Sequence, residues 1–330
     1  MLSRVADTIY WMGRYIERAE NYARFMDVNF NLSLELHPDA YEQWKPLIVT
    51  TGDWSLFDEN HDVANKTNSI KFLTFDDKNP NSIYSCLIKA RENARAIRPD
   101  ITKEMWEQIN SLFYHVKEAK SKKLWLRKDP RAFFEDVKKS CQLLYGILDS
   151  TISKTEGWHF AKIGQLIERA DKTSRVLDVK YHILLPSSAT VGSSLDIIQW
   201  SSLLKSVSAY DMYRKKYGKL TPSDISEFLI FDSEFPRSIL SCLMATEQSL
   251  HAITGSQYGF SNSAEKQLGW IKSQLEYADI NDVFTFGLHE YLDGIQMQLN
   301  QLSISIFETF FATENIIKAN DQIQKNDISQ

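Results

Sequence analysis

The sequence predicts an all-α protein, a helical bundle built by tandem duplication of a five- to six-helix unit, with the copies in a pseudo-twofold relation. Three observations lead there. The 330 residues hold only 12 Gly and 8 Pro, so long stretches run without a breaker. Apolar residues recur at spacings of three and four, while strand-like alternation is scarce. Two long stretches of the chain also match each other at a nearly fixed offset, the mark of an internal repeat.

The repeat rests on two paired motifs. Gly13-Arg-Tyr-Ile16-Glu17-Arg18-Ala19, continued by Arg24, Asp27 and Val28, returns 151 positions later as Gly164-Gln-Leu-Ile167-Glu168-Arg169-Ala170 with Arg175, Asp178 and Val179. Phe72-Leu73, Phe75-Asp76, Pro80, Ser82-Ile83 and Ser85-Cys86-Leu87 return 156 positions later, from Phe228 to Leu243, and Trp44 returns as Trp200. The difference between the offsets places a five-residue insertion between Val179 and Trp200, where Leu185-Pro-Ser-Ser-Ala-Thr-Val-Gly192 reads as a loop. The copies are set at 1–150 and 151–317, and the polar tail 318–330 is expected to be disordered.

Taken in order, the first helix is predicted from Leu2 to about Leu36, with Ile9, Met12, Ile16, Ala19, Ala23, Met26 and Phe30 as one buried face. Leu47-Ile-Val-Thr50 is assigned to a helix, because its counterpart Leu203-Leu-Lys-Ser206 lies in a helical pattern. Pro80, Pro130, Pro222 and Pro236 are placed at first-turn positions, with Thr221-Pro-Ser-Asp224 as a capping signal. Pro99 and Pro186 mark stops.

Composition excludes some functions. A net charge of −5 argues against nucleic acid or an anionic membrane as partner, since both favour a basic face. Cys86, Cys141 and Cys242 are too widely spaced for a disulfide framework or a Cys-x-x-Cys site, which points to a reducing, cytoplasmic compartment. Arg4, Asp7, Arg14 and Glu17 interrupt any apolar leader, and no window approaches the length of a membrane span. Phosphate-binding loops, dinucleotide fingerprints, nucleophile elbows and His-Glu-x-x-His are all missing, which lowers the prior for an enzyme.

The informative feature is a second line of residues on the motif helices. Gly13, Glu17, Glu20, Arg24 and Asp27 follow a 4-3-4-3 spacing, repeated by Gly164, Glu168, Asp171, Arg175 and Asp178. That spacing keeps five residues on one stripe over roughly 21 Å. Three readings stand open. The stripe is a structural ion-pair network, with Glu20–Arg24 and Asp171–Arg175 as i, i+4 pairs and Glu17 with Arg18 tying neighbouring helices across a pseudo-twofold interface. It is a carboxylate site in which Glu17, Glu20, Glu168 and Asp171 hold Mg²⁺ or Mn²⁺, although Arg24 and Arg175 would partly neutralise it. Or Arg and Glu together bind an anionic or zwitterionic ligand such as a peptide terminus. No cofactor is predicted outside the metal reading.

Two further groups carry less weight. Arg91, Arg95 and Arg98, with Glu92 between them, line one helix face suited to receive phosphate or carboxylate, but they become Glu247, His251 and Thr254 in the second copy, which favours a solvated surface. The basic run from Lys117 to Arg131, with Trp125 inside it, reads as a solvated turn or a surface for an acidic partner.

The opening Met1-Leu-Ser-Arg-Val-Ala-Asp-Thr-Ile-Tyr-Trp11-Met-Gly-Arg14-Tyr-Ile-Glu-Arg-Ala-Glu20-Asn, with Ala90-Arg-Glu-Asn-Ala-Arg95 and Glu156-Gly-Trp-His-Phe160, closely resembles the bacterial alpha-E domain family over essentially the whole chain. The resemblance implies a helical domain defined by the Glu-Arg motif, and supplies no catalytic residues. It also implies work in a peptide synthesis or modification system, as an accessory or scaffold beside an ATP-grasp-type ligase and transglutaminase-like or NTN-hydrolase partners. The rival expectations are an enzyme using the paired carboxylates and arginines on a peptide, and a small-ligand module. The motif carries over to Gly13, Arg14, Glu17, Arg18, Ala19 and Glu20, whereas the second copy has Lys162 for Trp11 and Gln165 for Arg14, so a site using both copies would be asymmetric.

Overall fold

The computed structural model describes residues 1–35, 44–184, 194–256 and 259–312; the expected loop at 185–192 and the tail at 318–330 lie outside them. Among the described residues the regular structure is helical and no strand occurs. The first half of the chain forms α1 (Ser3–Glu35), α2 (Trp44–Thr51), α3 (Trp54–Asp58), α4 (Lys66–Ile70), α5 (Ile83–Ala96), α6 (Lys103–Ser121) and α7 (Arg131–Thr151). The second forms α8 (Glu156–Leu184), α9 (Ser194–Ser206), α10 (Tyr210–Lys216), α11 (Pro222–Phe231), α12 (Ile239–Thr254), α13 (Ser263–Glu276), α14 (Ile280–Phe286) and α15 (Leu288–Ile306). Five of these, α2, α3, α4, α10 and α14, have eight residues or fewer, and they carry the number past five or six per copy.

Short polar side chains set the helix starts. Ser82 and Ser238 accept from the backbone N–H of Ser85 and Ser241 and so cap α5 and α12. Pro80 and Pro236 therefore sit in the turn ahead of the cap rather than in the first helical turn. The hydroxyls of Ser82 and Ser238 also donate to the carbonyls of Asp76 and Asp232, which fixes that turn and moves the helix start past the proline. Pro130 is likewise one residue early, at the N-cap of α7, whereas Pro222 occupies the first turn of α11 behind a Thr221 cap.

The centre of the molecule is the pair α1 and α8. Around α1 stand α5, α7 and α9, and around α8 stand α12, α15 and α2. The apolar line from Ile9 to Phe30 is buried, as predicted, but Tyr10, Tyr22 and Phe25 on other sides of α1 are buried too. A helix enclosed on most of its circumference must also bury its polar stripe, and this one does.

Glycine sets how closely the pair meets. A Cβ on Gly13 would lie 2.4 Å from the carbonyl oxygen of Ala161, and one on Gly164 would lie 2.2 Å from that of Tyr10. Backbone therefore packs on backbone at this crossing, with no room for a side chain. Contacts advance together along both helices, from Tyr10 and Gly164 to Glu17 and Arg169, so α1 and α8 run in the same direction. Residues 151 apart, Tyr10 with Ala161 and Gly13 with Gly164, make the reciprocal halves of the contact.

Candidate functional site

One turn beyond the crossing, the motif residues exchange partners between helices. Arg18 of α1 donates through Nε and Nη2 to both oxygens of Glu168 on α8, at 2.6 and 2.9 Å. Arg169 of α8 returns the arrangement, donating through Nε and Nη2 to both oxygens of Glu17 at 3.0 and 2.8 Å. Each is a two-pronged guanidinium–carboxylate pair, the strongest geometry such groups have. Glu17 and Glu168 are both completely buried. The adjacent Glu and Arg of the motif point to different sides of their helix, so each Arg serves the Glu of the other helix.

The remaining donors differ between the two carboxylates. Glu168 also accepts from Arg14 Nε at 2.9 Å and lies 3.4 Å from Lys172 Nζ. At Glu17 the corresponding positions are neutral: Gln165 donates at 3.3 Å and Asn21 at 3.0 Å. The missing charge comes from elsewhere, since Arg237, in the turn before α12, reaches Glu17 at 3.1 Å and Glu20 at 3.0 Å. Its counterpart at the second offset, Asn81, accepts instead from Arg18 at 2.6 Å. Gln165 for Arg14 and Arg237 for Asn81 thus exchange polar and charged roles, so both carboxylates stay paired in an asymmetric cluster.

The outer stripe is paired along each helix and then to its flanks. Arg24 donates to Glu20 through Nε at 2.8 Å, and Arg175 donates to both oxygens of Asp171 through Nε at 3.1 and 3.0 Å. Lys172 Nζ adds a contact to Asp171 at 2.7 Å. The last members leave the cluster: Asp27 meets Lys138 of α7 at 2.6 Å, and Asp178 meets His289 of α15 at 2.7 Å. Arg91 lies apart, half-buried over Trp106 and Phe113 and bonded to Asn110 at 2.7 Å, while exposed Arg95 pairs with Glu92 at 2.5 Å. In the basic run, Lys120 pairs with Asp77, Lys122 with Glu118 and Arg131 with Asp129, and Trp125 packs against Phe75.

Electrostatics follow from this crowding of cations. Burial alone would raise the Glu17 and Glu168 carboxyls; Arg169 and Arg237 outweigh it at Glu17, and Arg18, Lys172 and Arg14 outweigh it at Glu168, holding both well below the usual range. For Asp171, burial is likewise overcome by Lys172 and Arg175, and the value falls to about 2. Burial pushes the Cys86 and Cys242 thiols up to about 12 and Cys141 upward as well, so none is a ready thiolate. Among the described residues no three His, Cys, Asp or Glu side chains converge as a cation site. No described helix is long and apolar enough to cross a membrane.

Three carboxyls with lowered values bind fewer protons in the fold than in the unfolded chain, so they add stability wherever the unfolded groups are ionised. That contribution should be complete above about pH 5 and lost as acid approaches the folded values. Thermal melting should therefore change little from neutrality to about pH 5 and drop steeply below about pH 4. A melting midpoint that holds steady to about pH 2.5 would contradict the assignment.

Sequence reasoning finds the stripe but misses Arg237, Lys172, Gln165, Asn21 and Asn81 as its partners. Arg237 had a signal, because it is a charged residue replacing Asn81 between two matched pairs, Pro80 with Pro236 and Ser82 with Ser238.

Comparison with known proteins places the chain. An uncharacterized protein of Mycobacterium bovis and two of Mycobacterium tuberculosis are each 24% identical to it over 332 residues, covering 91% of this chain. The match covers 36% of each relative, so the chain spans about a third of their length. No solved structure matches. Residues 1–311 match the family Alpha-E, described as a predicted alpha-helical domain with a conserved ER motif. The Glu-Arg clasp of α1 and α8 is that motif in three dimensions, and the chain belongs to the Alpha-E family.

Proposed function

We propose that the chain is an accessory or scaffold component of a peptide synthesis or modification system, working through its surface on an ATP-grasp-type ligase or that ligase's peptide substrate. The observation that carries this reading is the burial of Glu17 and Glu168 with protein donors at both oxygens of each. Groups so engaged are positioned to hold two helices together rather than to meet a substrate, because proton transfer needs a carboxylate within reach of the reacting atom. The relatives support an attached role, since the stretch matched by this chain is about a third of a much longer polypeptide. The family resemblance supplies the class of partner, with transglutaminase-like and NTN-hydrolase proteins as further members of the system.

The test is co-expression of the tagged chain with the ATP-grasp-type protein of the same genome, followed by co-elution and ATP-dependent peptide ligation with and without the chain. Co-elution and a several-fold rise in ligation are expected. Turnover of a peptide by the chain alone, abolished in Glu17→Gln or Glu168→Gln with the fold intact, would overturn the accessory reading in favour of an enzyme.

A further inference from the structure

The cluster around the motif is not electrically balanced. Counting the residues in direct ion pairs, seven side-chain cations gather around four carboxylates. Buried charge without a counter-charge is costly, so a surplus of this kind draws anions to its most accessible member. That member is Arg175, whose side chain is 22% exposed while those of Arg14, Arg24, Lys172 and Arg237 are below 10%.

The matching position in the other half shows what Arg175 lacks. Arg24, 151 positions earlier, donates through Nη1 to the hydroxyl of Ser208, in the turn after α9. Arg175 faces the corresponding turn after α2, where the residue 156 positions before Ser208 is Gly52. Both residues hold a left-handed conformation, with φ +80° at Gly52 and +54° at Ser208. A Cβ on Gly52 would lie 3.4 Å from Arg175 Nη1, so a side chain there would point at the guanidinium. Arg175 meets Asp171 through Nε alone, and among the described residues no protein acceptor meets its Nη1 or Nη2. The nearby Asp53 carboxylate is engaged elsewhere, by Tyr22 at 2.9 Å and Asn81 at 2.8 Å.

We propose that the terminal guanidinium nitrogens of Arg175, beside Gly52, bind a small oxyanion, a carboxylate or a phosphate group, in the position that the Ser208 hydroxyl takes opposite Arg24. A guanidinium edge with two free N–H donors suits two oxygens of such a group, and Lys172 on the same Asp171 adds attraction. This site is independent of the accessory role and does not require it.

The experiment is thermal melting in inorganic phosphate, and separately in acetate, against chloride at matched ionic strength. Gly52→Ser, Arg175→Gln and Ser208→Gly are measured beside the wild type. Phosphate also stabilises proteins generally, and that part is common to all four. The wild type should gain about 2 to 4 °C beyond it near saturation. Gly52→Ser should lose that gain because its hydroxyl serves Arg175, and Arg175→Gln should lose it because the donors are gone. Ser208→Gly should leave it unchanged, because it frees only Nη1 of Arg24, whose Nη2 stays on Glu20 and whose side chain is 6% exposed. A response to acetate as well as phosphate identifies a carboxylate-accepting site, and a response to phosphate alone a phosphate site. An equal gain in the wild type and Arg175→Gln, or a gain retained in folded Gly52→Ser, overturns the proposal, and so does no gain in the wild type.

Discussion

Glu168→Gln is expected to lower the stability of the protein by about 3 to 5 kcal/mol, the usual result of stranding buried charge. The substitution keeps the shape of the side chain and removes its charge, leaving Arg14, Arg18 and Lys172 around a neutral amide in a fully buried position. The amide nitrogen would also point a donor at guanidinium donors, so at least one hydrogen bond is lost outright. Glu17→Gln should cost somewhat less, because two guanidiniums rather than three cations face it and its other donors, Gln165 and Asn21, are neutral. Chemical denaturation of both variants reads the effect, and a loss below about 1 kcal/mol for Glu168→Gln would mean the clasp does not hold the helices together. Combining Glu168→Gln with Arg18→Gln should recover part of the loss, since it relieves one of the stranded charges.

Gly164→Ala is the second large effect, a net loss of about 2 to 3 kcal/mol. Two contributions oppose each other. Alanine in a helix gains roughly 1 kcal/mol over glycine through backbone entropy. Against that, its methyl would sit 2.2 Å from the Tyr10 carbonyl oxygen, a backbone atom that cannot rotate away. The helices must part by about 1 Å, which also lengthens the Arg–Glu bonds one turn along, and overpacking of this kind costs about 1 to 3 kcal/mol before those bonds are counted. Gly13→Ala should behave alike against Ala161. Gly146 and Gly269 are the controls: both are helical with open space at the Cβ position, and their alanine variants should be neutral or more stable. Urea unfolding of the four variants separates the two groups, and a Gly164→Ala protein as stable as Gly269→Ala would contradict the close crossing.

What could be read from the chain alone depends on the range of the interaction. Spacings of three and four identify Ile9 to Phe30 as buried and put Glu17, Glu20 and Arg24 in line, because helix geometry makes both local. The same spacing says nothing of which helix faces that line. Arg18 meets Glu168 rather than any neighbour of its own, and Arg237 reaches Glu17 over 220 positions, choices made by tertiary packing. The return of the stripe in two otherwise diverged stretches marks it as more than simple surface, but the burial of Glu17, Glu20 and Arg24 follows only once α1 is known to be enclosed. The prolines divide on a similar boundary. Pro222 follows a capping threonine and sits where expected, whereas Pro80 and Pro236 precede a serine that caps the helix two positions later.

The exchange of partners between α1 and α8 has a consequence for how the chain is made. Glu17 leaves the ribosome well before its guanidiniums, which lie 152 and 220 positions further along. At about 5 to 20 residues per second, roughly 8 to 30 s pass before Arg169 has even been synthesised. Throughout that interval the nascent first half carries a helix whose Glu17 has no guanidinium to meet and whose glycine face has nothing to press on. The first half is thus obliged to wait in an incompletely packed state, and a premature stop anywhere before α8 should release a fragment that aggregates or is degraded rather than a small stable domain.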